Sequence, residues 1–369
     1  MHNDKLHLSD LSISNFRGIH HLSIKKLGRV TLITGLNGVG KTTVLEAVRV
    51  YATRGDQDVF RTLLYSRDEL VEAPDEDRDL IMFPDYSALF FGRHATPSQS
   101  ISIGPLSGKD CLKIEVVDVK DLPEPQQDLF SKLNSEANQA LKVVHRDAQS
   151  VLPWLAGIHH VPRALRRMRL SRQDMSDPIN CESLGPGLLD NYVLASYWDK
   201  VVLTPQEALA LEALNLTGQK IDRVAAIGED SRRYGRSGSR IVVRMNDQTK
   251  PLPLKSLGDG ITRLFAASLA LAVSRDGFLV IDEVENGIHY SVQHEFWKMV
   301  LKAAHEYNVQ ILATTHSFDC IKAFASAATE IKESNGALIR LEGENGDIRA
   351  IEYTEEELKI ASYHDIEVR

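Results

Sequence analysis

The sequence has few cysteines and no long hydrophobic run. Its three cysteines, Cys111, Cys181 and Cys320, are far apart and form no C-x-x-C pair. An odd number at this spacing argues against a disulfide framework and a zinc site, and indicates a reducing compartment. The longest apolar stretch, residues 264–273, is too short to cross a bilayer, and the polar start is unlike a signal peptide. We therefore expect a cytoplasmic protein with no membrane partner.

Internal repeats, heptad runs and low-complexity tracts are also absent from the sequence. Apolar residues make up 43% and charged residues 25% of the 369 residues, which is typical of a globular protein of one large domain or two domains. The formal net charge of −8 argues against a chain that binds nucleic acid over its whole surface. Local basic patches remain compatible with that balance.

The most informative stretch is a glycine-rich loop between a short apolar run and an amphipathic segment. Residues 35–42 fit G-x-x-x-x-G-K-[ST], residues 30–34 read as a buried strand, and a helix is predicted from residue 41. A glycine-rich turn that fits by chance is the alternative, and the order of strand, loop and helix argues against it. Successive backbone N–H groups and the helix N-terminus would bind a polyphosphate here. The predicted nucleotide-binding residues are Gly35, Asn37, Gly38, Val39, Gly40, Lys41, Thr42 and Thr43.

A second apolar strand, residues 278–281, ends in two acids, Asp282 and Glu283. In an open α/β sheet such a strand end lies beside the phosphate loop. We expect Thr42 and Asp282 to bind Mg²⁺, and Glu283 to act as the general base on the attacking water. Lys41 would reach the β- and γ-phosphates. Two adjacent acids without a cation would be costly at the end of a buried strand, which argues against a purely structural role.

Two further segments complete the predicted site. The buried strand at residues 310–314 is followed by His316, which would face the γ-phosphate if this strand neighbours the one ending at Asp282. A surface or structural histidine is the alternative. Ser256 and Gly258 precede a helix predicted over 261–273 and form a second anion-binding helix start. One nucleotide needs only one such cradle, so the second one indicates that another protomer supplies the γ-phosphate.

The strand and helix pattern predicts an α/β fold with a parallel core sheet. Strands and helices alternate from residue 241 onward, and the alternating runs at 86–119 predict a small antiparallel lobe. An acidic segment at 68–79 reads as a loop or frayed helix, and helical spacing occurs at 130–144 and 188–214. We therefore predict that the nucleotide-binding unit is built from an N-terminal half at 1–120 and a C-terminal half at 241–369, with a mostly helical insertion at 121–240 between them.

Two arginine clusters lie in or near the predicted insertion. The first could bind nucleic acid or a partner, or simply form a solvated helix face, and consists of Arg163, Arg166, Arg167, Arg169 and Arg172. The second is equally ambiguous and consists of Arg223, Arg232, Arg233, Arg236 and Arg240. Neither has interleaved aromatic residues that would indicate base stacking.

In this order, GLNGVGKTT, SLGDG, FLVIDE and TTHS resemble the Walker A, signature, Walker B and switch-histidine motifs of ABC-type ATPases. Residues 13–18 (ISNFRG) and 282–289 (DEVENGIH) narrow the resemblance to the overcoming-lysogenisation-defect (OLD) and RecF-like ATPases of bacterial anti-phage systems. The resemblance covers about residues 6–54 and 250–369. It implies an ABC-type ATPase head that uses ATP and Mg²⁺ and dimerises around ATP.

The same resemblance assigns several residues. Ser256, Gly258 and Asp259 would contact the γ-phosphate held by the opposite subunit, although SLGDG departs from the LSGGQ signature. Residues 285–287 would form the D-loop at the dimer seam, and Arg17 would lie near the nucleotide. The short stretch after His316 lacks the clustered acids of an OLD nuclease domain.

We therefore expect the sensor or regulatory subunit of a defence system, with a separate nuclease or toxin as its effector. Two alternatives stay open. One is a RecF-like DNA-repair clamp, and the other is an oligomeric scaffold locked by ATP in which hydrolysis is incidental.

Overall fold

The computed structural model of this chain describes residues 5–74, 80–97, 99–124, 127, 138–154, 178–228, 239–246, 248, 250–331, 335–344, 347–353 and 357. Within these residues the α-helices, in chain order, are α1 Lys41–Ala52, α2 Gln57–Tyr65, α3 Asn191–Val201, α4 Glu207–Asn215, α5 Asp259–Val273, α6 Tyr290–Glu306 and α7 Phe318–Glu330.

The strands of the N-terminal part are β1 Leu11–Phe16, β2 Ile19–Ile24, β3 Val30–Gly35, β4 Leu70–Pro74, β5 Leu80–Pro84, β6 Ser100–Gly104, β7 Leu112–Asp118, β8 Gln139–His145 and β9 Ala148–Pro153. Those that follow are β10 Cys181–Leu184, β11 Ile221–Gly228, β12 Ser239–Met245, β13 Leu252–Pro253, β14 Phe278–Ile281, β15 Gln310–Thr314, β16 Gly336–Glu344 and β17 Asp347–Tyr353.

A six-stranded sheet of order β10-β14-β15-β3-β16-β17 forms the centre of the molecule. All its neighbouring pairs are parallel except β16 with β17. The parallel core sheet predicted from the sequence is therefore confirmed. Because β3, β14 and β15 are adjacent and parallel, their carboxyl ends meet at one edge of the sheet. This edge is where open α/β sheets bind ligands.

Both faces of the central sheet are buried, which explains the continuous apolar runs of its strands. Leu279 and Ile281 of β14 pack into the core formed with α3 to α7, whereas Phe278 and Val280 point into a second core around α1. The alternation follows the two-residue repeat of a strand. Every residue of α1 except Thr42 and Arg49 is buried, because this helix lies between the central sheet and the antiparallel sheet.

The second six-stranded sheet has the order β2-β1-β6-β7-β8-β9 and is antiparallel throughout. It contains the antiparallel strands predicted within residues 86–119 and extends them with β1, β2, β8 and β9. This sheet packs over α1 and α2, and so closes the core on the side opposite to α5 and α6. The N-terminal lobe is thereby joined to the helix that begins at the phosphate loop.

Two predicted segments differ from the structure. The helix predicted over residues 130–144 is wrong for residues 139–144, which form β8 and pair with β7 along seven positions. The apolar spacing there fits either structure, and pairing with a neighbouring strand decides the outcome. The acidic segment predicted as a loop or frayed helix is a strand at residues 70–74, because β4 pairs with β5 in a hairpin.

The described part of residues 121–240 is mixed rather than mostly helical. It contains α3 and α4, which confirm the helical prediction for residues 188–214, together with strands β8 to β11. Strand β10 joins the edge of the central sheet beside β14. The predicted division at residues 120 and 240 stays a prediction. The first arginine cluster, at residues 163–172, and three members of the second, Arg232, Arg233 and Arg236, lie outside the described residues.

Candidate functional site

The phosphate loop connects the end of β3 to the start of α1. Gly40 directly precedes α1 with a φ of 104°, in the left-handed region that favours glycine. Gly35 has a φ of 138°, and a Cβ atom there would lie 2.4 Å from the carbonyl oxygen of Leu341. Both glycines are therefore required by the path of the backbone. The turn leaves the N-terminal N–H groups of α1 facing an open cleft, which suits an anion.

The side chain of Lys41 folds back onto the phosphate loop. Its Nζ atom donates to the carbonyl oxygens of Gly35, at 2.7 Å, and Leu36, at 2.9 Å, and lies 3.4 Å from Nδ1 of His316. Burial lowers the pKa of Lys41, and the nearby carboxylates of Asp282, Glu283 and Glu285 oppose this effect. The ammonium group thus lies where the loop, the acids and the histidine converge. The oxygens of a bound phosphate group would replace these two carbonyl oxygens as hydrogen-bond partners of the Lys41 ammonium group.

Asp282 is held through both of its carboxylate oxygens. Oδ2 accepts a hydrogen bond from the Thr42 hydroxyl at 2.9 Å, and Oδ1 accepts one from the Thr314 hydroxyl at 2.5 Å. The same Thr314 oxygen accepts the backbone N–H of Glu283 at 2.9 Å. Thr314 is fully buried at the end of β15. Its position follows from the parallel register of β14 and β15, so the fold itself fixes the carboxylate beside the phosphate loop.

Glu283 has an unusual backbone conformation, with a φ of 47°. A non-glycine residue in this region is strained and needs support from its surroundings. Arg263 of α5 supplies part of this support, because its Nη2 atom donates to the carbonyl oxygens of Asp282, at 2.9 Å, and Glu283, at 3.3 Å. Its Nη1 atom donates to the carbonyl oxygens of Gly185 and Gly187. One buried guanidinium therefore joins α5, the two acids and the loop after β10.

Lys41, Thr42 and Glu283 border a cleft of about 650 Å³. This volume is within the range of small-molecule binding sites. The cleft is lined by Asn37, Gly38, Gly40, Lys41, Thr42, Thr43, Arg67, Glu283, Glu285, Asn286 and His316. Cationic groups, acids and backbone N–H groups of a helix start thus surround one space, which is the arrangement that phosphoryl chemistry needs.

The structure brings most of the predicted site residues to this cleft, and His316 lies there as expected from the order of the strands. The backbone N–H of His316 donates to Oε1 of Glu285 at 2.8 Å, so the histidine and the predicted D-loop are linked within one chain. Asn286 also belongs to the cleft, and its side chain donates to the carbonyl oxygen of Pro186 at 2.8 Å.

Six predicted nucleotide-binding residues are not among the described residues that line the cleft: Gly35 and Val39 of the phosphate loop, Arg17, Ser256, Gly258 and Asp259. Ser256, Gly258 and Asp259 are at the start of α5 and are not among the described residues that line the cleft. The next residue, Gly260, approaches the D-loop so closely that a Cβ atom would lie 2.4 Å from the carbonyl oxygen of Gly287. Arg17 is likewise not among the described lining residues.

The side chain of Arg17 is buried in ion pairs. Its Nε atom lies 2.9 Å from Oε2 of Glu46, and its Nη1 atom lies 2.7 Å from Oε2 of Glu69.

Three residues of the site were not predicted from the sequence. Arg67 lines the cleft, Thr314 anchors Asp282, and Arg263 holds the backbone of both acids. Thr314 is the first residue of the TTHS motif (residues 314–317), and its position at a strand end was the signal that could have revealed its role. For Arg67 and Arg263 no local pattern distinguishes them from ordinary surface or helix arginines.

Two family models match the chain. Residues 202–319 match one described as "AAA domain, putative AbiEii toxin, Type IV TA system", and residues 10–68 match one described as "AAA domain". The chain is also similar to an ATP/GTP phosphatase of Helicobacter pylori (strain ATCC 700392 / 26695). The two are 19% identical over 344 residues, which cover 85% of this chain and 86% of that protein. Two stretches of the chain are therefore similar to AAA domains, and together with the phosphate loop these matches indicate an ATPase.

Solved structures of SMC heads are also similar to this chain. An SMC head bound to the C-winged helix domain of ScpA is 12% identical, with a TM-score of 0.49, and 96% of this chain and 99% of that one are covered. The SMC head domain from Thermotoga maritima is 14% identical, with a TM-score of 0.42 and coverages of 95% and 100%.

A third such structure is an SMC head domain with an extended coiled coil bound to the C-terminal domain of ScpA, derived from Pyrococcus furiosus. It is 11% identical, with a TM-score of 0.47 and coverages of 98% and 100%. Separately, none of the helices in the described ranges has the length and apolar character needed to cross a membrane.

Proposed function

We propose that this chain is an ABC-type ATPase of the OLD/RecF-like kind that dimerises around ATP and Mg²⁺ and controls a separate effector. The proposal rests on the positions of the motifs, because only some of them line the cleft. The phosphate loop, Glu283 and His316 line one cleft, whereas Ser256, Gly258 and Asp259, around the start of α5, are not among the described residues that line it. A second copy of the chain that presents its α5 start to this cleft would complete the site.

Mg²⁺ fits the residues beside the phosphate loop. The hydroxyl of Thr42 and the carboxylate of Asp282 lie 2.9 Å apart, and both are oxygen ligands of the kind that Mg²⁺ prefers. When bound, Mg²⁺ would neutralise charge on the phosphate oxygens. The Thr314 hydroxyl would hold this carboxylate in place by donating to Oδ1, the Asp282 oxygen that Thr42 does not contact. Among the described residues no group of three or more histidines, cysteines and acids forms a metal cluster, so phosphate oxygens and water would supply the other ligands.

Hydrolysis would depend on positioning and electrostatics. Lys41 and the N–H groups at the start of α1 would bind the phosphates, and Glu283 would accept a proton from the attacking water. His316 would contact the γ-phosphate from the end of β15. Since Glu285 accepts the N–H of His316, this hydrogen bond would transmit the loss of the γ-phosphate from His316 to the D-loop. That loop continues into α6, and this gives the nucleotide state a route to the proposed dimer surface.

The regulatory part of the proposal rests on the family description and on the resemblance to anti-phage ATPases. One matching family model names a putative toxin of a toxin–antitoxin system. The described residues contain no group of three or more histidines, cysteines and acids that could hold a metal ion. We propose that the chemistry of an effector resides in another protein. The ATP-bound dimer would hold or release that effector, which we propose to be a nuclease or a toxin.

Glu283→Gln is the variant that tests this function. It keeps the size of the side chain and removes the proposed base, so we expect ATP binding to persist, ATP turnover to fall at least about 100-fold, and a dimer to accumulate with ATP and Mg²⁺. Phosphate release, equilibrium dialysis and light scattering measure these three properties. Glu295→Gln, on the exposed face of α6, is the matched control and should behave like the wild type.

Affinity capture of Glu283→Gln from the native host, with ATP present, addresses the effector. A nuclease- or toxin-like protein recovered in stoichiometric amount supports the regulatory role. Recovery of the protein with DNA alone would favour a repair clamp instead. If Glu283→Gln stayed monomeric at saturating ATP, the dimer model of the site would be wrong.

A further inference from the structure

Five charged side chains form a chain of ion pairs that ends in the cleft. We call it the arginine–glutamate ladder, and its members in order are Arg93, Glu69, Arg17, Glu46 and Arg67. The N–O distances between neighbours are 2.8, 2.7, 2.9 and 2.7 Å. The three inner members are almost fully buried, whereas the two terminal arginines reach the surface.

The ladder carries three arginines and only two glutamates. Burial raises the pKa of Glu46, and the neighbouring Arg17 and Arg67 oppose this rise and favour the carboxylate. One positive charge therefore remains in excess, and it can be neutralised only at an end of the ladder. The Arg93 side chain is 68% exposed and faces solvent, whereas Arg67 is 38% exposed and lines the cleft.

Arg67 is placed in the cleft by Glu46. Its Nε and Nη2 atoms lie 3.0 and 2.7 Å from Oε1 of Glu46, so the fork of the guanidinium is fixed on one side. Glu46 is one turn beyond Thr42 in α1 and on the same face of that helix. Arg67 therefore lies along the first turns of α1, the helix that binds the phosphates.

The groups proposed to act on the γ-phosphate approach the cleft from a different element. Glu283 and His316 follow the ends of β14 and β15 in the central sheet. Lys41 and Arg67 are the two arginine or lysine side chains among the described residues that line the cleft. Lys41 is adjacent to His316 and therefore lies near the proposed position of the γ-phosphate. Arg67 is then the cation available to the part of the nucleotide that is more distant from the γ-phosphate.

We propose that Arg67 binds a phosphate oxygen that ADP and ATP share, with Glu46 as the residue that positions it. The inference deepens the proposed nucleotide site and rests on it. Arginine suits this role because its fork can keep one side on a carboxylate and donate from the other to phosphate. The bound phosphate would neutralise the excess charge of the ladder, so the turn after α2 and the buried Arg17 would both become more firmly held.

Arg67→Gln and Arg93→Gln test this proposal as a matched pair. Each removes one terminal charge from the same ladder, but only the first changes a residue of the cleft. Titration calorimetry of the full chain with ADP and with ATP, both with Mg²⁺, gives the affinities. A hydrogen bond to a charged group contributes roughly 10- to 100-fold in affinity, so we expect Arg67→Gln to weaken ADP and ATP binding by similar factors in this range. Arg93→Gln should stay within about twofold of the wild type.

Arg67→Lys keeps the charge and loses the fork, so we expect an intermediate loss. This variant also decides the question if Arg67→Gln fails to fold, which a thermal melt would reveal. Equal losses in Arg67→Gln and Arg93→Gln would overturn the proposal, since the ladder would then act only through stability. A loss of ATP binding with normal ADP binding would also overturn it, because the contact would then be to the γ-phosphate. If the wild-type chain bound neither nucleotide, the proposed function itself would fail.

Discussion

Replacing Arg263 by alanine tests whether one buried guanidinium holds Asp282 and Glu283, the acids proposed to act on the nucleotide, in place. Arg263 is 3% exposed, and its two terminal nitrogens donate to four carbonyl oxygens, of residues 185, 187, 282 and 283. At about 1 kcal/mol net for each hydrogen bond, the substitution should lower the free energy of unfolding by about 4 kcal/mol. That is a large fraction of the 5–15 kcal/mol typical of a protein domain.

The same substitution should affect turnover more than nucleotide binding. Glu283 has a strained φ of 47°, and Arg263 donates to its carbonyl oxygen. Without this contact the backbone can relax and move the carboxylate, and a displacement of about 1 Å costs on the order of 100-fold in rate. We therefore expect ATP turnover to fall about 100-fold, while Lys41 and the phosphate loop still bind nucleotide.

Urea unfolding followed by circular dichroism and an assay of phosphate release measure the two effects. Arg275→Ala is the matched control, because this arginine follows the same helix, is largely exposed and lies 3.6 Å from its acidic neighbour. It should change the free energy of unfolding by less than about 0.5 kcal/mol. Arg263→Lys keeps the charge and should recover part of both losses. Arg263→Ala with wild-type turnover and less than about 1 kcal/mol of destabilisation would refute the reasoning.

Three further predictions concern other contacts of the fold. Gly260→Ala would place a Cβ atom 2.4 Å from the carbonyl oxygen of Gly287, so we expect about 1–3 kcal/mol of destabilisation in urea unfolding, whereas Gly343→Ala, with open space around it, should be tolerated. Thr314→Val removes the hydroxyl that donates to Asp282, the carboxylate proposed to bind Mg²⁺, and should raise the Mg²⁺ concentration for half-maximal turnover by about 10-fold or more. The pKa of buried His145 is lowered from 6.5, chiefly by desolvation, so the unfolded state takes up its proton first as pH falls. Its contribution to stability is therefore fully present above pH 6.5 and is lost below it, and His145→Gln should show a smaller fall in melting temperature between pH 7.5 and 5.5; an unchanged fall would contradict this assignment.

Much of the central sheet could be predicted from local sequence. Strands β14 and β15 were predicted with the bounds that the structure has, because a strand buried on both faces is a continuous apolar run with polar ends. Helices α5 and α6 were predicted within two residues, since their apolar spacing is regular. Strand β8 was mistaken for part of a helix, because seven residues with apolar positions at mixed spacing fit both structures until β7 pairs with them.

The candidate site likewise contains residues that local sequence reveals and residues that it does not. The glycines and Lys41 of the phosphate loop, and the acids that follow β14, are recognisable because their chemistry requires those residue types at fixed spacing along the chain. Arg67 and Arg263 have no such signature. Arg67 is held in the cleft by Glu46, 21 residues away, and Arg263 donates to the carbonyl oxygen of Gly185, 78 residues away.

The sequence by itself determined the phosphate loop, the acids at the end of a buried strand and the alternation of strands and helices, because each depends on short-range spacing. Only the tertiary structure decided which strand lies next to which, where α1 is enclosed between two sheets, and which charged groups share a cleft. It also showed that Ser256, Gly258 and Asp259, which we expect to meet the nucleotide of the opposite subunit, are not among the described residues that line the cleft of their own chain. These properties depend on pairing between distant segments, and the free energy of such contacts is not written in any local pattern.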